Sequence, residues 1–290
     1  MIINEWRSKG KVLNIDGHQI FYIDVNAEKE DTICFLHGYP SCSFDYYKVF
    51  KYFKEYRLII HDHLGFGLSD KPGGNEYLLD YQAELSLGLW EALGLKNIHL
   101  VAHNYGTSIA TALLYRKQGA GLSANIESLI LCNGSMLIDM AQLRPIQRLL
   151  KNRWTGAIVA SFASFRTFKR NMRNIVSDPN SFSIEDLTLL WKLLLHNNGR
   201  KVLPAITRYI DQRYQNYDKW IGALEKTEIA TLILWGDKDP VAVYEMANAL
   251  KQKINNAKLD TLPGIGHYPM IEDSGNWSRS IINFIKSNSY

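Results

Sequence analysis

Short apolar runs alternate with amphipathic stretches along most of the chain. Six apolar runs bounded by turn residues predict buried strands, at residues 20–25, 32–36, 56–60, 97–102, 128–132 and 231–235. Between and after them, apolar residues spaced as on one helical face indicate helices at 81–93, 108–116 and 277–285. Strands that alternate with helices predict an α/β fold, a mostly parallel sheet with helices on both faces.

The rhythm changes between residues 135 and 226, where no strand pattern is present and several helical patterns follow one another. The strand pattern resumes directly afterwards. We therefore predict a core of residues 1–134 and 227–290 and a helical lid of residues 135–226 inserted between two strands. At the carboxyl edge of a parallel sheet, such an insertion lies over the ligand crevice. The alternative is a separate helical domain with a role of its own.

Composition narrows the class of protein. Hydrophobic residues make up 46% and charged residues 21%, an ordinary globular balance that excludes disordered, collagen-like and coiled-coil chains. A net charge of +4 is too weak to predict nucleic-acid binding. The odd number of cysteines, three, predicts reduced thiols, and no stretch has the pattern of a signal peptide or a transmembrane helix. The expectation is therefore a cytoplasmic protein.

The most informative stretch is residues 100–108, Leu-Val-Ala-His-Asn-Tyr-Gly-Thr-Ser, where a predicted strand runs into a predicted helix. Ala102, Asn104 and Gly106 follow the order of a nucleophile elbow, a small residue on each side of the nucleophile position. Small side chains are needed because larger ones would collide in so sharp a turn. The turn presents residue 104 above the sheet and directs the backbone N–H of Tyr105 at a developing oxyanion.

Four further motifs accompany the elbow. They are His-Gly-Tyr-Pro at 37–40, Asp-His-Leu-Gly-Phe-Gly-Leu-Ser-Asp-Lys-Pro at 62–72, Trp-Gly-Asp-Lys-Asp-Pro at 235–240 and Gly-Ile-Gly-His-Tyr-Pro at 264–269. With these motifs in this order, the chain resembles the α/β-hydrolase family, in particular its epoxide hydrolase and haloalkane dehalogenase branch, over nearly its whole length. Segments such as 113–116 and 209–213 resemble the mesoderm-specific transcript proteins within that family. The resemblance implies the α/β-hydrolase fold with an inserted helical lid.

A catalytic triad is implied by the same resemblance. Asn104 stands at the nucleophile position, Asp239 at that of the triad acid and His267 at that of the triad histidine. His267 would activate water, and Asp239 would orient and stabilise His267. The backbone N–H groups of Tyr39 and Tyr105 would form the oxyanion hole. No metal and no organic cofactor is implied.

The chain departs from the family at the nucleophile itself. Related enzymes carry Asp or Ser at this position, whereas this sequence carries Asn104. A carboxylate can attack carbon to form an ester, which activated water then cleaves, but a neutral amide cannot form that ester. Two interpretations follow: an inactivated Asp→Asn form that traps a bound ligand, or a natural protein that lost the nucleophile and only binds. Chemistry without a nucleophile at this position is a third.

The substrate class depends on which donors surround the nucleophile. Dehalogenases of the family hold the halide with Asn or Trp, and Tyr39 and Tyr105 at those positions match poorly. Epoxide hydrolases place tyrosines in the lid to protonate the epoxide oxygen. Tyr209 lies near the family's second lid tyrosine, whereas the first is absent because no tyrosine lies between Tyr115 and Tyr209. Packing alone is the alternative role for Tyr209.

The sequence therefore predicts hydrolysis of a small to medium apolar substrate, with an epoxide favoured and Tyr209 as the proton donor. A haloalkane dehalogenase and an ester or lactone hydrolase are the catalytic alternatives. A non-catalytic ligand-binding homologue is the alternative from another class. A monomer and a dimer are both compatible with the sequence.

The first half of the predicted lid has an unusual charge pattern. Between residues 144 and 173 there is no acidic residue, and eight are basic: Arg144, Arg148, Lys151, Arg153, Arg166, Lys169, Arg170 and Arg173. Apolar residues recur there at helical spacing, namely Trp154, Ile158, Phe162, Phe165 and Phe168. One interpretation is a lid helix that packs its apolar face over the pocket and exposes a basic back. The other is a surface that contacts anionic lipid or a hydrophobic substrate at a membrane.

Overall fold

One eight-stranded sheet runs through the part of the chain that the computed structural model describes, residues 2–74 and 77–288. The strands are β1 (Lys11–Ile15), β2 (His18–Val25), β3 (Thr32–Leu36), β4 (Arg57–His61), β5 (Asn97–His103), β6 (Asn125–Cys132), β7 (Ala230–Gly236) and β8 (Ala257–Leu262). Their spatial order is β1-β2-β4-β3-β5-β6-β7-β8. The pairs β1–β2 and β2–β4 are antiparallel, and all the other pairs are parallel. The predicted fold class is thus confirmed.

The two strands that the apolar pattern did not predict, β1 and β8, are the two edges of the sheet. β3, in the interior, is buried at all five positions, whereas β1 buries only Ile15 and β8 buries only its first and last residues. An edge strand has a neighbour on one side only, so it carries polar residues that give no continuous apolar run. The six predicted runs match the six remaining strands, β2 to β7, with ends that differ by at most three residues, the largest difference being at the start of β6.

Helices connect and cover these strands. They are α1 (Ile3–Arg7), α2 (Leu79–Ala92), α3 (Tyr105–Gly119), α4 (Pro145–Lys151), α5 (Gly156–Ser161), α6 (Phe165–Arg173), α7 (Ile184–Leu195), α8 (Gly199–Thr207), α9 (Tyr209–Gln215), α10 (Tyr217–Glu225), α11 (Tyr244–Lys253), α12 (Pro269–Glu272) and α13 (Ser274–Asn288). The helices predicted from apolar spacing correspond to α2, α3 and α13. Helix α3 begins three residues earlier than predicted, directly after the elbow.

Between β6 and β7, all of whose connecting residues are described, the chain forms helices and no strand; we call α4 to α10 the helical insertion (residues 145–225). The interpretation of residues 144–173 as a lid helix with one apolar face needs correction, because the stretch forms three helices, α4, α5 and α6. The chain leaves the helix at 162–164, and Ser164 starts α6 by accepting a hydrogen bond from the backbone N–H of Thr167 at 3.3 Å. Phe162 therefore lies exposed between two helices, whereas Phe168 is buried in the second.

Two sequence-based expectations concern the whole chain. All three cysteines are buried and unpaired, as expected for thiols that form no disulfide framework. No helix in the described ranges is long and apolar enough to cross a membrane.

Candidate active site

Asn104 occupies a strained turn between β5 and α3. Its backbone angles are φ 49° and ψ −105°, outside the regions that a side-chain-bearing residue ordinarily adopts. The predicted need for small neighbours is confirmed at Gly106, where an added Cβ would lie 2.4 Å from the carbonyl oxygen of Leu36. The elbow therefore holds residue 104 in place by backbone geometry, with its side chain at the carboxyl end of β5.

The three predicted triad residues converge in one buried hydrogen-bonded chain. The Nδ2 atom of Asn104 lies 2.8 Å from Nε2 of His267, and Nδ1 of His267 lies 2.6 Å from Oδ2 of Asp239. A carboxylate only accepts hydrogen bonds, so Nδ1 donates to Asp239 and Nε2 is left to accept from the Asn104 amide. The nitrogen of His267 that can accept a proton thus faces residue 104.

Asp239 is held by more donors than His267 alone. Its Oδ1 accepts from the backbone N–H groups of Val241 and Ala242 at 2.7 and 3.0 Å, and its Oδ2 also accepts from Nδ2 of Asn133 at 2.8 Å. Asn133 in turn accepts from the backbone N–H of Gly236 at 3.1 Å. Sequence reasoning did not assign Asn133 a role, although its position at the carboxyl end of β6, between the elbow strand and the acid strand, was a usable signal.

One predicted oxyanion-hole donor is aimed at the residue 104 side chain. The backbone N–H of Tyr39 donates to Oδ1 of Asn104 at 2.9 Å. The preceding residue, Gly38, allows this approach because an added Cβ would lie 3.0 Å from Cβ of Asn104. The backbone N–H of Tyr105 is the first in α3, where N–H groups have no partner within the helix. Its role as the second donor stays a prediction.

His103 forms a hydrogen bond to the backbone of the triad histidine. Its Nε2 donates to the backbone carbonyl of His267 at 2.7 Å. Burial, together with the neighbouring His267, lowers the pKa of His103 well below its ordinary value, so the ring stays neutral.

The turn that begins at Asp62 has a structural role. Its carboxylate accepts from the backbone N–H groups of Ser43 and Leu68, both at 2.7 Å. The flanking His61 and His63 are buried, and burial lowers the pKa of both rings. Within residues 2–74 and 77–288, no group of three or more His, Cys, Asp or Glu side chains is arranged to hold a metal ion.

A cavity of about 360 Å³ lies between the triad and the helical insertion. Tyr39, Asn104 and His267 line it on the side of the sheet. The side of the insertion is lined mainly by apolar residues, among them Ile146, Leu150, Val159, Met172, Trp191 and Leu203. A cavity of this size and lining has room for a small to medium apolar molecule in contact with residue 104.

Tyr209 lies behind the cavity wall. It is fully buried but is not among the residues that line the cavity, and its hydroxyl accepts from Nε2 of Gln147 at 3.3 Å. Gln147 does line the cavity, and sequence reasoning missed it. Burial raises the pKa of Tyr209, an effect that the Arg213 guanidinium partly opposes, so the hydroxyl keeps its proton. The role of Tyr209 as a catalytic acid stays a prediction.

Arg213 is a third residue that sequence reasoning missed. It is buried, donates from Nε to Oγ of Ser108 at 2.6 Å and from Nη2 to the backbone carbonyl of Asn104 at 3.1 Å. The guanidinium lies 4.6 Å from the centroid of the Tyr209 ring. No acidic side chain among the described residues forms an ion pair with it. Arg213 thus ties α9 of the insertion to the elbow.

Comparison with known proteins agrees with this geometry. A family model described as the alpha/beta hydrolase fold matches residues 31–170. The chain is 33% identical over 270 residues to LipZ of Mycobacterium tuberculosis, which is named as a hydrolase, and the match covers 93% of each chain. It is 32% identical over 295 residues to the human mesoderm-specific transcript homolog protein, covering 98% of this chain and 88% of the relative. The chain belongs to the α/β-hydrolase fold family. The resemblance predicted from the motifs is confirmed.

Solved α/β-hydrolase structures share the whole architecture. The epoxide hydrolase CorEH superposes with a TM-score of 0.80 at 18% identity, covering 97% of this chain and 99% of that one. The haloalkane dehalogenase DatA of Agrobacterium tumefaciens C58 gives a TM-score of 0.80 at 18% identity and covers 97% of both chains. At this identity the likeness shows the fold alone. A hydrolase of the α/β type is the class that the fold and the relatives together support.

Proposed function

We propose that this α/β-hydrolase is built to hydrolyse a small to medium apolar substrate through residue 104, with an epoxide as the favoured class. The observation that carries the proposal is the continuous chain from Asn104 through His267 to Asp239 at the floor of an apolar cavity. A protein that only binds an apolar ligand has no need of a histidine held by a buried carboxylate. The chain with Asn104 is, on this proposal, an impaired form of the enzyme.

The Asn104 amide impairs both halves of the reaction. It is neutral, so its oxygen is a far weaker nucleophile than a carboxylate oxygen. Its Nδ2 also donates to Nε2 of His267 at 2.8 Å, which occupies the lone pair that would accept a proton from water. Aspartate has the same shape and no N–H. In an Asn104→Asp form the nucleophile is charged, and the geometry of the turn is kept.

The Asp form would turn over an epoxide in two steps. A carboxylate oxygen of residue 104 attacks a ring carbon, the carbon–oxygen bond of the ring breaks, and the freed oxygen takes a proton from Tyr209. His267 then takes a proton from water, and the hydroxide adds to the ester carbonyl of residue 104. The ester C–O bond breaks, the diol leaves with the proton from His267, and the other proton of the water restores the Tyr209 hydroxyl. The sum is epoxide plus water to diol.

Contacts around the site suit each step. The Tyr39 N–H that reaches Oδ1 of Asn104 is placed for the negative charge that develops there during ester hydrolysis. Ile175, just after α6, accepts from the backbone N–H of His267 at 2.9 Å, so the insertion holds the histidine loop. We infer from this contact and from the cavity walls that the helical insertion acts as a lid.

An epoxide is favoured on the condition that Tyr209 acts as the proton donor. Gln147 donates to the Tyr209 hydroxyl, whose own hydrogen stays free, but Tyr209 lies behind the cavity wall, so Gln147 has to move aside before that hydrogen meets a substrate oxygen. Tyr39, at a position where dehalogenases hold the halide, has its hydroxyl 2.8 Å from Oγ1 of Thr207 and so occupied by another partner. Haloalkane and ester or lactone hydrolysis are the other catalytic candidates. Ligand binding without turnover is the candidate that Asn104 itself favours.

The experiment is the Asn104→Asp substitution, assayed against panels of epoxides, haloalkanes and activated esters. Intact-mass and peptide mass spectra first confirm that the parent preparation carries Asn and the variant preparation carries Asp at position 104. We expect turnover of one panel to rise by roughly 10⁴-fold or more over the Asn104 chain, the scale of losing a triad member. Asn104→Ala, which has no nucleophile, is the matched control. If Asn104→Asp is inert on all three panels while apolar ligands still bind, the binding-protein alternative is correct.

A further inference from the structure

Four large apolar side chains within residues 149–162 of the helical insertion are exposed. They are Leu149 in α4, Trp154 just before α5, Ile158 in α5 and Phe162 just after it, and 47%, 87%, 60% and 80% of their surfaces are exposed. We call them the docking patch. The last three follow one another at intervals of four residues along α5 and its two ends, and the backbone N–H of Phe162 donates to the Ile158 carbonyl at 3.3 Å, so Ile158 and Phe162 are neighbours on one helical face. Exposed apolar side chains gathered in this way mark an interaction surface.

Exposed cations flank the docking patch in the sequence. Arg148, Arg153, Arg166 and Arg170 are all exposed, and none of them forms an ion pair with an acidic side chain among the described residues. In α6 the two arginines face outward, whereas Phe168 of the same helix is buried. No acidic residue occurs between Asp139 and Asp178. Residues 140–177 therefore combine exposed apolar and exposed basic side chains with no acidic residue of their own, and Asp211 of α9 pairs with Lys151 of α4.

We propose that the docking patch binds the surface of an anionic lipid membrane. Charge complementarity selects this occupant, because four unpaired arginines match a layer of anionic headgroups. Tryptophan and phenylalanine side chains beside basic residues are the composition of helices that lie in the membrane interface. The patch would enter the headgroup region without crossing the bilayer.

The docking patch is continuous with the cavity. Ile158 and Phe162 are exposed and also line the cavity, whose floor is Asn104 and His267. A docked lid would therefore open its apolar wall onto the lipid, and an apolar molecule dissolved in the bilayer could reach residue 104 without crossing water. This route for the substrate rests on the proposed function, whereas the docking itself does not.

The test is sedimentation of the full chain with vesicles of phosphatidylcholine alone and of phosphatidylcholine with phosphatidylserine. We expect binding to the anionic vesicles at low ionic strength, weaker binding near physiological ionic strength because screening shortens electrostatic reach to about 8 Å, and little binding to the neutral vesicles. Trp154 gives a second signal. Of the seven tryptophans it is the exposed one, so its emission should shift to the blue on docking, and Trp154→Phe should remove that shift.

Matched variants separate the patch from the rest of the surface. Phe162→Ser should weaken binding by roughly tenfold or more, and Arg166→Glu with Arg170→Glu by at least about tenfold. The controls are Val12→Ser and Lys251→Glu, an exposed apolar residue in β1 and an exposed basic residue in α11, which should bind as the parent chain does. These variants need only bind vesicles, so the result is independent of any catalytic assay.

Absence of binding to anionic vesicles at low ionic strength would overturn the proposal. So would binding that both patch variants retain in full. If the chain instead self-associates with rising concentration, and Phe162→Ser abolishes this without any vesicle binding, the patch is an interface between copies. A chain that docks but stays inert as Asn104→Asp keeps the docking and refutes the hydrolytic function.

Discussion

The triad and the docking patch lie on opposite sides of one cavity, and they differ in how completely their groups are satisfied. Both ring nitrogens of His267 and both carboxylate oxygens of Asp239 have hydrogen-bond partners, and the side chains are buried. Trp154 and Phe162 in the patch are mostly exposed. A site for covalent chemistry needs its geometry fixed beforehand, whereas a docking surface leaves its contacts to be made by the partner.

The largest expected effect on turnover comes from a substitution in the triad. In an Asn104→Asp background, Asp239→Asn replaces an acceptor of the His267 proton with an amide that can donate, which favours the wrong tautomer. We expect turnover to fall by roughly 10⁴-fold, as measured by steady-state kinetics on whichever panel the parent turns over. Asp260→Asn, in the edge strand β8, is the control and should leave turnover unchanged. A loss below tenfold in Asp239→Asn would show that the His267–Asp239 pair does not take part in the reaction.

Tyr209→Phe in the same background tests whether the Tyr209 hydroxyl donates a proton to the substrate. The loss of the proton donor should lower epoxide turnover by roughly 100-fold and leave ester turnover within a fewfold of the parent. The two substrates are assayed side by side with one enzyme preparation. Equal rates for parent and variant on the epoxide would assign Tyr209 to packing against Tyr39 and Arg213, which lie next to its ring.

Asn133→Ala, again in the Asn104→Asp background, tests whether turnover depends on the hydrogen bond that Asn133 donates to Asp239. The variant removes the 2.8 Å hydrogen bond to Oδ2 and the acceptor for the Gly236 N–H. Because Asn133 acts through Asp239, kcat should fall on the order of tenfold to a hundredfold with KM nearly unchanged. A rise in KM at constant kcat would instead place Asn133 in substrate binding. Asn133→Ser, which can keep one hydrogen bond, should recover part of the loss.

The smallest expected effect is on the pH dependence of stability, through Asp45. This carboxyl is buried like that of Asp239 but accepts fewer hydrogen bonds. Asp45 is buried and accepts one side-chain hydrogen bond, from Ser41 at 2.5 Å, and burial raises its pKa to about 8. In the unfolded chain the same group titrates near pH ~4, so the folded state holds this proton more tightly. Stability contributed by the neutral form is therefore present below about pH 4 and is lost as the pH rises to about 8.

Asp45→Asn should remove this dependence, since the amide oxygen can still accept from Ser41. The gain in melting temperature over the parent should be a few degrees larger at pH 8 than at pH 5, because each pH unit in the window is worth at most about 1.4 kcal/mol. Thermal unfolding followed by circular dichroism at both pH values measures it. A melting-temperature change that is the same at pH 5 and pH 8 would contradict the raised pKa.

The sequence predicted those features whose evidence lies within a few contiguous residues and missed those that depend on contacts between distant residues. Asn104, Asp239 and His267 were found because each lies in a motif of a few contiguous residues, and interior strands such as β3 were found because burial on both faces leaves an unbroken apolar run. Arg213 was missed because its contact with the Asn104 carbonyl joins residues 109 positions apart. Nothing in the local pattern around Arg213 distinguishes it from a solvated arginine.

The break at 162–164 was missed for a different reason. Apolar residues continue at helical spacing through it, so periodicity alone predicts one helix. The competing signal is Ser164, which caps α6 by accepting from Thr167. This break is what leaves Phe162 on the surface. The sequence therefore indicated a basic and apolar stretch correctly, while the fold determined which of its apolar residues face solvent.

The central claim, that residue 104 is the position that attacks the substrate, is tested most directly by trapping the intermediate. In a chain carrying Asn104→Asp and His267→Gln, attack can occur but water is not activated, so an ester should accumulate on residue 104. Incubation with a substrate from the panel that Asn104→Asp turns over, followed by peptide mass spectrometry, should show the substrate-derived mass on the peptide that carries residue 104. A chain that turns over substrate as Asn104→Asp but never carries that mass, or carries it on another residue, would contradict the account.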